Sequence, residues 1–137
     1  MTDNAHTTPD PYLLAKDAAN ALREASGIER IDIAVTLGSG WSGAAELLGT
    51  ELFSTPADAI PGFQKPSVEG HVGTLRIFEI PGGSRVLVLG ARTHYYEGHG
   101  VGATVHGVRT AAEFGATTCD FLFRYGQVDQ QRSLIHI

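Results

Sequence analysis

Cysteine is nearly absent from this chain. Cys119 is the single one in 137 residues, which excludes an internal disulfide and predicts a reducing compartment, the cytoplasm. Positive charge is also scarce: ten Lys and Arg against fifteen Asp and Glu leave a formal net charge of -5. A nucleic-acid surface rests on a basic patch, so none is expected, although a small anion site needs only a few local donors. No stretch is long and apolar enough to cross a bilayer. The start, Met1 to Pro11, lacks the basic region and apolar run of a signal peptide. The six histidines are scattered, and none pairs with a carboxylate at metal-site spacing, so no metal is expected; without a long apolar stretch, no membrane partner is expected either. No internal repeat or low-complexity tract interrupts the chain.

What is present is the composition of a globular protein: 42% hydrophobic and 18% charged residues, with seventeen glycines. That length suits one domain, or a piece of one, able to bury roughly two-thirds of its unfolded surface. Residues 1–9 read as a loose polar tail. Asp10-Pro11 is a helix start, because the carboxylate can cap free amides and proline needs no amide partner there. Leu14, Ala18, Ala21, Leu22 and Ala25 recur at helical spacing and Gly27 can close the turn, which predicts a helix over 11–26. Residues 31–37 are a nearly continuous apolar run, a strand buried on both faces. A glycine turn and a short helix over 42–49 follow. Pro56, Pro61, Gly62 and Pro66 suggest a long loop over 51–71. Strands near 73–80 and 84–90, joined by Pro81-Gly82-Gly83, read as a hairpin. A helix over 103–114, with Val105, Val108 and Ala112 on one face, stops at Gly115. The fold expected is α/β, a mixed central sheet flanked by helices.

Three segments carry donors suited to an anion. Gly38-Ser39-Gly40 lies between a buried strand and a helix, where backbone amides and the helix dipole favour negative charge; a plain tight turn is the alternative. No Lys-Ser/Thr follows, which excludes a nucleoside-triphosphatase loop. The dinucleotide fingerprint fails because its third glycine would fall near Ala44. Arg92-Thr93-His94-Tyr95-Tyr96-Glu97-Gly98 lies just past a buried strand. In an extended segment Arg92, His94 and Tyr96 point the same way, presenting a guanidinium, an imidazole and a phenol to a tetrahedral oxyanion and a neighbouring sugar. Glu97 can stand behind them, orienting Arg92 or His94; a solvated loop whose aromatics cover the core is the alternative. His71, in Ser67 to Gly73, is by itself more typical of a surface or hydrogen-bonded histidine than of a ligand. His99, His106, Trp41 and Tyr95 read as packing or surface residues.

Taken together, Gly38-Ser39-Gly40, Glu69-Gly70-His71-Val72-Gly73 and Arg92 to Gly98, in this order and spacing, resemble the trimeric purine nucleoside phosphorylases over about Leu13 to Thr118. The sister methylthioadenosine phosphorylases lack the Tyr-Glu-Gly ending of the arginine-histidine loop. The resemblance implies a nucleoside phosphorylase-like fold and cleavage of purine (deoxy)ribonucleosides by inorganic phosphate to the free purine and the sugar 1-phosphate. It implies no metal or organic cofactor, phosphate being a co-substrate, and a homotrimer in the full-length family. It assigns phosphate to Ser39, His71, Arg92 and His94, a catalytic role to His94, ribose contact to Tyr96, and a supporting place to Glu97.

The resemblance ends after Gly115-Ala116-Thr117-Thr118. The family continues there into an Asn-containing, glycine-rich loop and a further half that reads the purine, whereas this chain runs Cys119-Asp120-Phe121 onward to Ile137. Residues 119–137 therefore read as an atypical tail on a single, truncated, incomplete phosphorylase domain spanning 1–137. A catalytically inactive fragment, or a phosphate- or nucleoside-binding remnant, is the alternative function.

Overall fold

The computed structural model describes residues 9–37, 42–63, 73–90, 100–125 and 129–136. It begins with the expected helix, α1 (Pro11–Ser26). The Asp10 carboxylate accepts from the Tyr12 amide at 2.8 Å and the Leu13 amide at 3.5 Å, so two of the amides that a helix start leaves open are satisfied. Gly27 closes the other end at φ 72, its N–H donating to Arg23 O, a conformation that costs a residue with a Cβ. The buried stripe is Ala15, Ala18, Ala19 and Leu22: Ala18 and Leu22 of the expected row are on it, Leu14 and Ala21 are half-buried at its margin, and Ala25 is exposed. Alanines on that stripe let α1 lie close against α2 (Gly100–Glu113).

The second helix begins three residues earlier than its periodicity predicts. Among its residues of described burial, His106, Thr110 and Ala111 are buried, as is Phe114 just past its end, whereas Val105, Val108 and Ala112 are half-buried. The apolar pattern misplaced the face because two polar residues occupy it, each with a partner described below. Gly115, at φ 107, ends the helix as expected.

Six strands form one mixed sheet: β1 (Ile33–Leu37), β2 (Thr50–Pro56), β3 (Thr74–Glu79), β4 (Arg85–Leu89), β5 (Thr118–Tyr125) and β6 (Asp129–His136). Their spatial order is β2-β3-β4-β1-β5-β6. β1 runs parallel to β4 and β5. β3 and β4 form the expected antiparallel hairpin, turned through Gly82 and Gly83 with the Ile80 amide donating to Ser84 O at 3.0 Å. Asp32 fixes the starts of the parallel strands: its Oδ2 accepts from the Arg85 amide at 2.9 Å, and its carbonyl accepts from the Thr117 amide at 3.1 Å.

Three stretches differ from the sequence reading. The helix expected over 42–49 is a 3-10 helix, Ser42–Leu47. The first part of the long loop, through Pro56, is strand β2, paired with β3 through a register shift between Glu51 and Phe53. Pro56 suggested loop, yet it sits at the end of an edge strand, where a missing amide removes no ladder bond. Thr118–Leu122 pairs with β1 in parallel, and β6 adds antiparallel to β5.

Alternation in the strands divides the core. Leu75, Ile77, Leu87, Leu89, Ala34 and Cys119 face α1 and α2, where Leu22 and Phe114 meet them. Val35, Phe78, Val86 and Val88 face the other side, under Ala45 and Leu48. β1 is thus buried on both faces, as its apolar run requires.

Candidate functional site

Every side chain assigned to the anion site lies outside the described residues: Ser39, His71, Arg92, His94, Tyr96 and Glu97, and with them His99, Trp41 and Tyr95. What the structure places is the chain on either side of them. β1 ends at Leu37, immediately before Gly38. In the ladder Thr36 stands opposite Leu89 of β4, and Leu89 opposite Leu75 of β3. The Gly90 amide donates to Thr74 O at 2.9 Å.

Leu37, Gly90 and Gly73 are therefore the roots of three segments, 38–41, 91–99 and 64–72, and all three stand at one end of the sheet. Because β3 runs against β4, the segment preceding β3 departs from the same end as the segment following β4. Adjacent strands lie about 4.8 Å apart, so the outer two roots are separated by roughly 10 Å across the sheet. This end is the carboxyl edge of the parallel strands β4, β1 and β5, the edge at which open α/β sheets hold their ligands. α2 starts at Gly100, directly after 91–99, and runs back along the sheet.

Around this edge the structure adds a residue that the sequence treated as ordinary. His106 on α2 is 4% exposed, and its Nε2 stands 2.8 Å from Pro61 O, to which the ring N–H donates. Phe63 meets the imidazole edge-on, with centroids 4.7 Å apart. Thr110 Oγ1 lies 3.5 Å from the same nitrogen, one helical turn on. Burial holds the His106 pKa below the ordinary imidazole value; the Pro61 carbonyl opposes that shift, and the Arg109 charge adds to it. Its partner is a backbone carbonyl 45 residues away, a pairing that no local spacing advertises. A histidine between Val105 and Val108, one helical turn before Thr110, was the available signal.

Other polar groups are structural. Arg76 on β3 joins Glu46 at 2.7 Å and Glu51 at 2.9 Å and lies over Phe78, 4.8 Å from the ring centroid. Among the described residues no group of three His, Cys, Asp or Glu side chains is placed to hold a metal ion, and no helix is long and apolar enough to cross a membrane.

Comparison with known proteins bears on this arrangement. No protein-family model matches the chain. A purine nucleoside phosphorylase of Cellulomonas sp is 48% identical over 126 residues, covering 89% of this chain and 45% of that protein. One of Mycobacterium leprae is 47% identical over 111 residues, covering 81% and 41%. The chain thus spans under half the length of these curated relatives. Among solved structures, isoform 2 of purine nucleoside phosphorylase from Schistosoma mansoni, in complex with cytosine and ribose-1-phosphate, matches with a TM-score of 0.68 at 28% identity over 82% of this chain and 40% of that one. Purine nucleoside phosphorylase from the same organism in complex with acetate matches at 0.65 and 27% identity, over 77% and 38%.

Proposed function

We propose that this chain, 48% and 47% identical to two purine nucleoside phosphorylases over the stretch it shares with them, forms the phosphate-holding portion of an enzyme that cleaves purine nucleosides with inorganic phosphate. The observation that carries this reading is the shared sheet end: the segments bearing Ser39, His71 and Arg92 to Glu97 all depart from it. One phosphate needs donors from several directions, and a glycine turn supplies only some of them. Ser39, His71, Arg92 and His94 hold the anion, Arg92 through its two-pronged guanidinium. Tyr96 contacts the ribose, and Glu97 orients the donors.

In the reaction a phosphate oxygen forms a bond to the anomeric carbon as the glycosidic C–N bond breaks, and its electron pair leaves with the purine, which ends protonated. Positive charge grows on the sugar meanwhile. The held dianion is both nucleophile and counter-charge, so positioning and electrostatics supply the rate. His94, a donor to phosphate, keeps that charge in line. No metal or organic cofactor enters the scheme. The same reading makes the protein cytoplasmic and a homotrimer when its full length is present, without nucleic-acid or membrane partners.

A second reading, a phosphate- or nucleoside-binding portion without turnover, is favoured for the 137 residues taken alone, because they span 45% and 41% of the two curated relatives described above. Isothermal titration of the purified chain with inorganic phosphate, alongside a coupled assay with inosine and guanosine, separates the two. Phosphate binding abolished by Arg92→Ala, with no turnover, is the expected outcome. An unchanged affinity in Arg92→Ala defeats the site, and turnover lost in that variant defeats the second reading.

A further inference from the structure

We propose that His106 is a positioning residue for the anion site, tying the root of segment 64–72 to α2, the helix that receives segment 91–99. The proposal rests on the phosphate reading above, because those two segments carry His71 and the Arg92 to Glu97 donors.

The geometry is that of a clamp rather than of filler. The imidazole is almost wholly inside the protein, where a polar group persists only when it is bonded. Its short contact is Pro61 O, at 2.8 Å. The next residue, Gly62, has φ +82, and a Cβ built there would overlap the His106 ring and stand 2.9 Å from Leu14 Cδ2. The backbone therefore passes directly against the imidazole, which only glycine allows. The following residue, Phe63, adds the edge-on ring contact and is the last residue before Gln64. Three consecutive residues, Pro61 to Phe63, are thus held on one side chain of α2.

The return end is fixed separately. The Ala57 amide donates to Gly73 O at 2.8 Å, beside the Pro56–Thr74 pair of β2 and β3. Residues 57 and 73 are thus joined at the base of this stretch, and His106 holds its outgoing limb, 57–63. Apart from this clamp, the bonds described for that limb run within its own turns: Ile60 to Ala57 O at 3.0 Å and Phe63 to Ile60 O at 3.2 Å. Both keep the turn's shape. Ala57 and Ile60 are buried in the core shared with α1 and α2, with Phe63 packed against it, and to that non-directional packing His106 adds a directional bond from α2 to the limb's backbone.

Four variants of the 137-residue chain test this: His106→Phe, His106→Gln, Gly62→Ala and Ile77→Val, the last being a core change on β3. Hydrogen exchange is measured by mass spectrometry, and the inorganic phosphate dissociation constant by titration well below the melting temperature. His106→Phe keeps the ring and removes the donor. It is expected to speed exchange over 57–63, leave α1 and β4 unchanged, and weaken phosphate binding about tenfold, the worth of one net hydrogen bond. His106→Gln places an amide N–H near the Nε2 position and is expected to restore both. Gly62→Ala breaks the tie from the loop side and is expected to behave as His106→Phe does. Ile77→Val lowers stability but leaves both readings unchanged.

Wild-type exchange over 57–63 in His106→Phe and Gly62→Ala overturns the proposal, as does wild-type phosphate affinity in both. Failure of His106→Gln to restore them, or an equal loss in Ile77→Val, also overturns it. If the unaltered chain binds no phosphate, the phosphate reading fails, and the exchange pattern alone then decides whether the tie exists.

Discussion

Phe114 holds the end of α2 to the sheet, and its replacement by alanine should be the most damaging single change in the described core. The ring is fully buried among residues of α1, β1, β3, β4 and β5, and its carbonyl accepts from the Ile31 amide at 3.0 Å, immediately before β1. Removing a buried phenyl costs its transfer free energy plus the cavity left behind, about 3–5 kcal/mol together. Arg23 lies over the ring at 5.4 Å but is bonded to Glu113 O, Glu29 O and Asn20 Oδ1. It therefore cannot follow the vacated space, and its cation–π share is only about 0.5–1 kcal/mol. The packing loss dominates. Whole domains are stable by about 5–15 kcal/mol, so Phe114→Ala should remove a large share of this chain's stability. Phe114→Leu, which refills most of the volume, should cost about 1–2 kcal/mol. Urea unfolding followed by far-ultraviolet circular dichroism reads both. If Phe114→Ala lowers stability by less than about 1 kcal/mol, α2 is not docked through this residue and the core assignment is wrong.

Cys119 is fully buried, and its thiol is pushed up to about 11, first by burial and then by the Asp120 charge; a disulfide reagent should label it only as the chain unfolds, and prompt labelling under native conditions would contradict the packing of β5. Because the folded His106 pKa lies below the unfolded value of 6.5, the unfolded state binds more protons in acid. Stability should be full above about pH 6.5 and fall as pH drops toward the folded value, and His106→Gln should remove that part of the slope; an identical slope in the variant rules it out. Arg76→Met keeps the stem over Phe78 but loses both carboxylates, which should cost about 1–2 kcal/mol. Since Arg76 holds the Glu51 carboxyl below its usual range, part of that loss should vanish in acid as Glu51 protonates; a urea midpoint unchanged at neutral pH would exclude the cross-link.

The elements legible in the sequence were those with strong local signals. Asp10-Pro11 and Gly27 bracket α1 because capping chemistry is decided within four residues, and the run 31–37 announced a strand buried on both faces. The burial stripe on α1 was misjudged because alanine is equally at home in a core and on a surface, so Ala15 and Ala25 look alike until α2 is in place. β2 was missed because an edge strand needs to bury only one face, which for Thr50–Pro56 leaves Phe53 and Thr55 half-buried and little alternation to read. His106 was passed over for a related reason. Its role is set by Pro61 O, and the distance between residues 61 and 106 carries no periodic trace.

The candidate site was legible as motifs but not as a place. Gly38-Ser39-Gly40 and Arg92 to Glu97 each follow an apolar run, so a parallel arrangement would by itself bring them to one edge. Glu69 to Gly73 precedes its strand, and in an all-parallel sheet that order would send it to the opposite end. The hairpin resolves this: β3 runs against β4, so the entry to β3 lies beside the exit of β4, and the Gly90 to Thr74 bond at 2.9 Å joins the two. Pro81-Gly82-Gly83 therefore does more than reverse the chain. By making the sheet mixed, it is the reason a segment before one strand and a segment after the next can serve one anion. Asp32 works from the far end, holding the starts of β4 and β5 level with β1. A one-residue slip there would shift Leu37 against Gly90 by about 3.3 Å, more than the tolerance of a charge-assisted hydrogen bond. The turn at 81–83 and the carboxylate of Asp32 thus belong to the architecture of the proposed site, although both stand at the far end of the sheet from the segments that carry its residues.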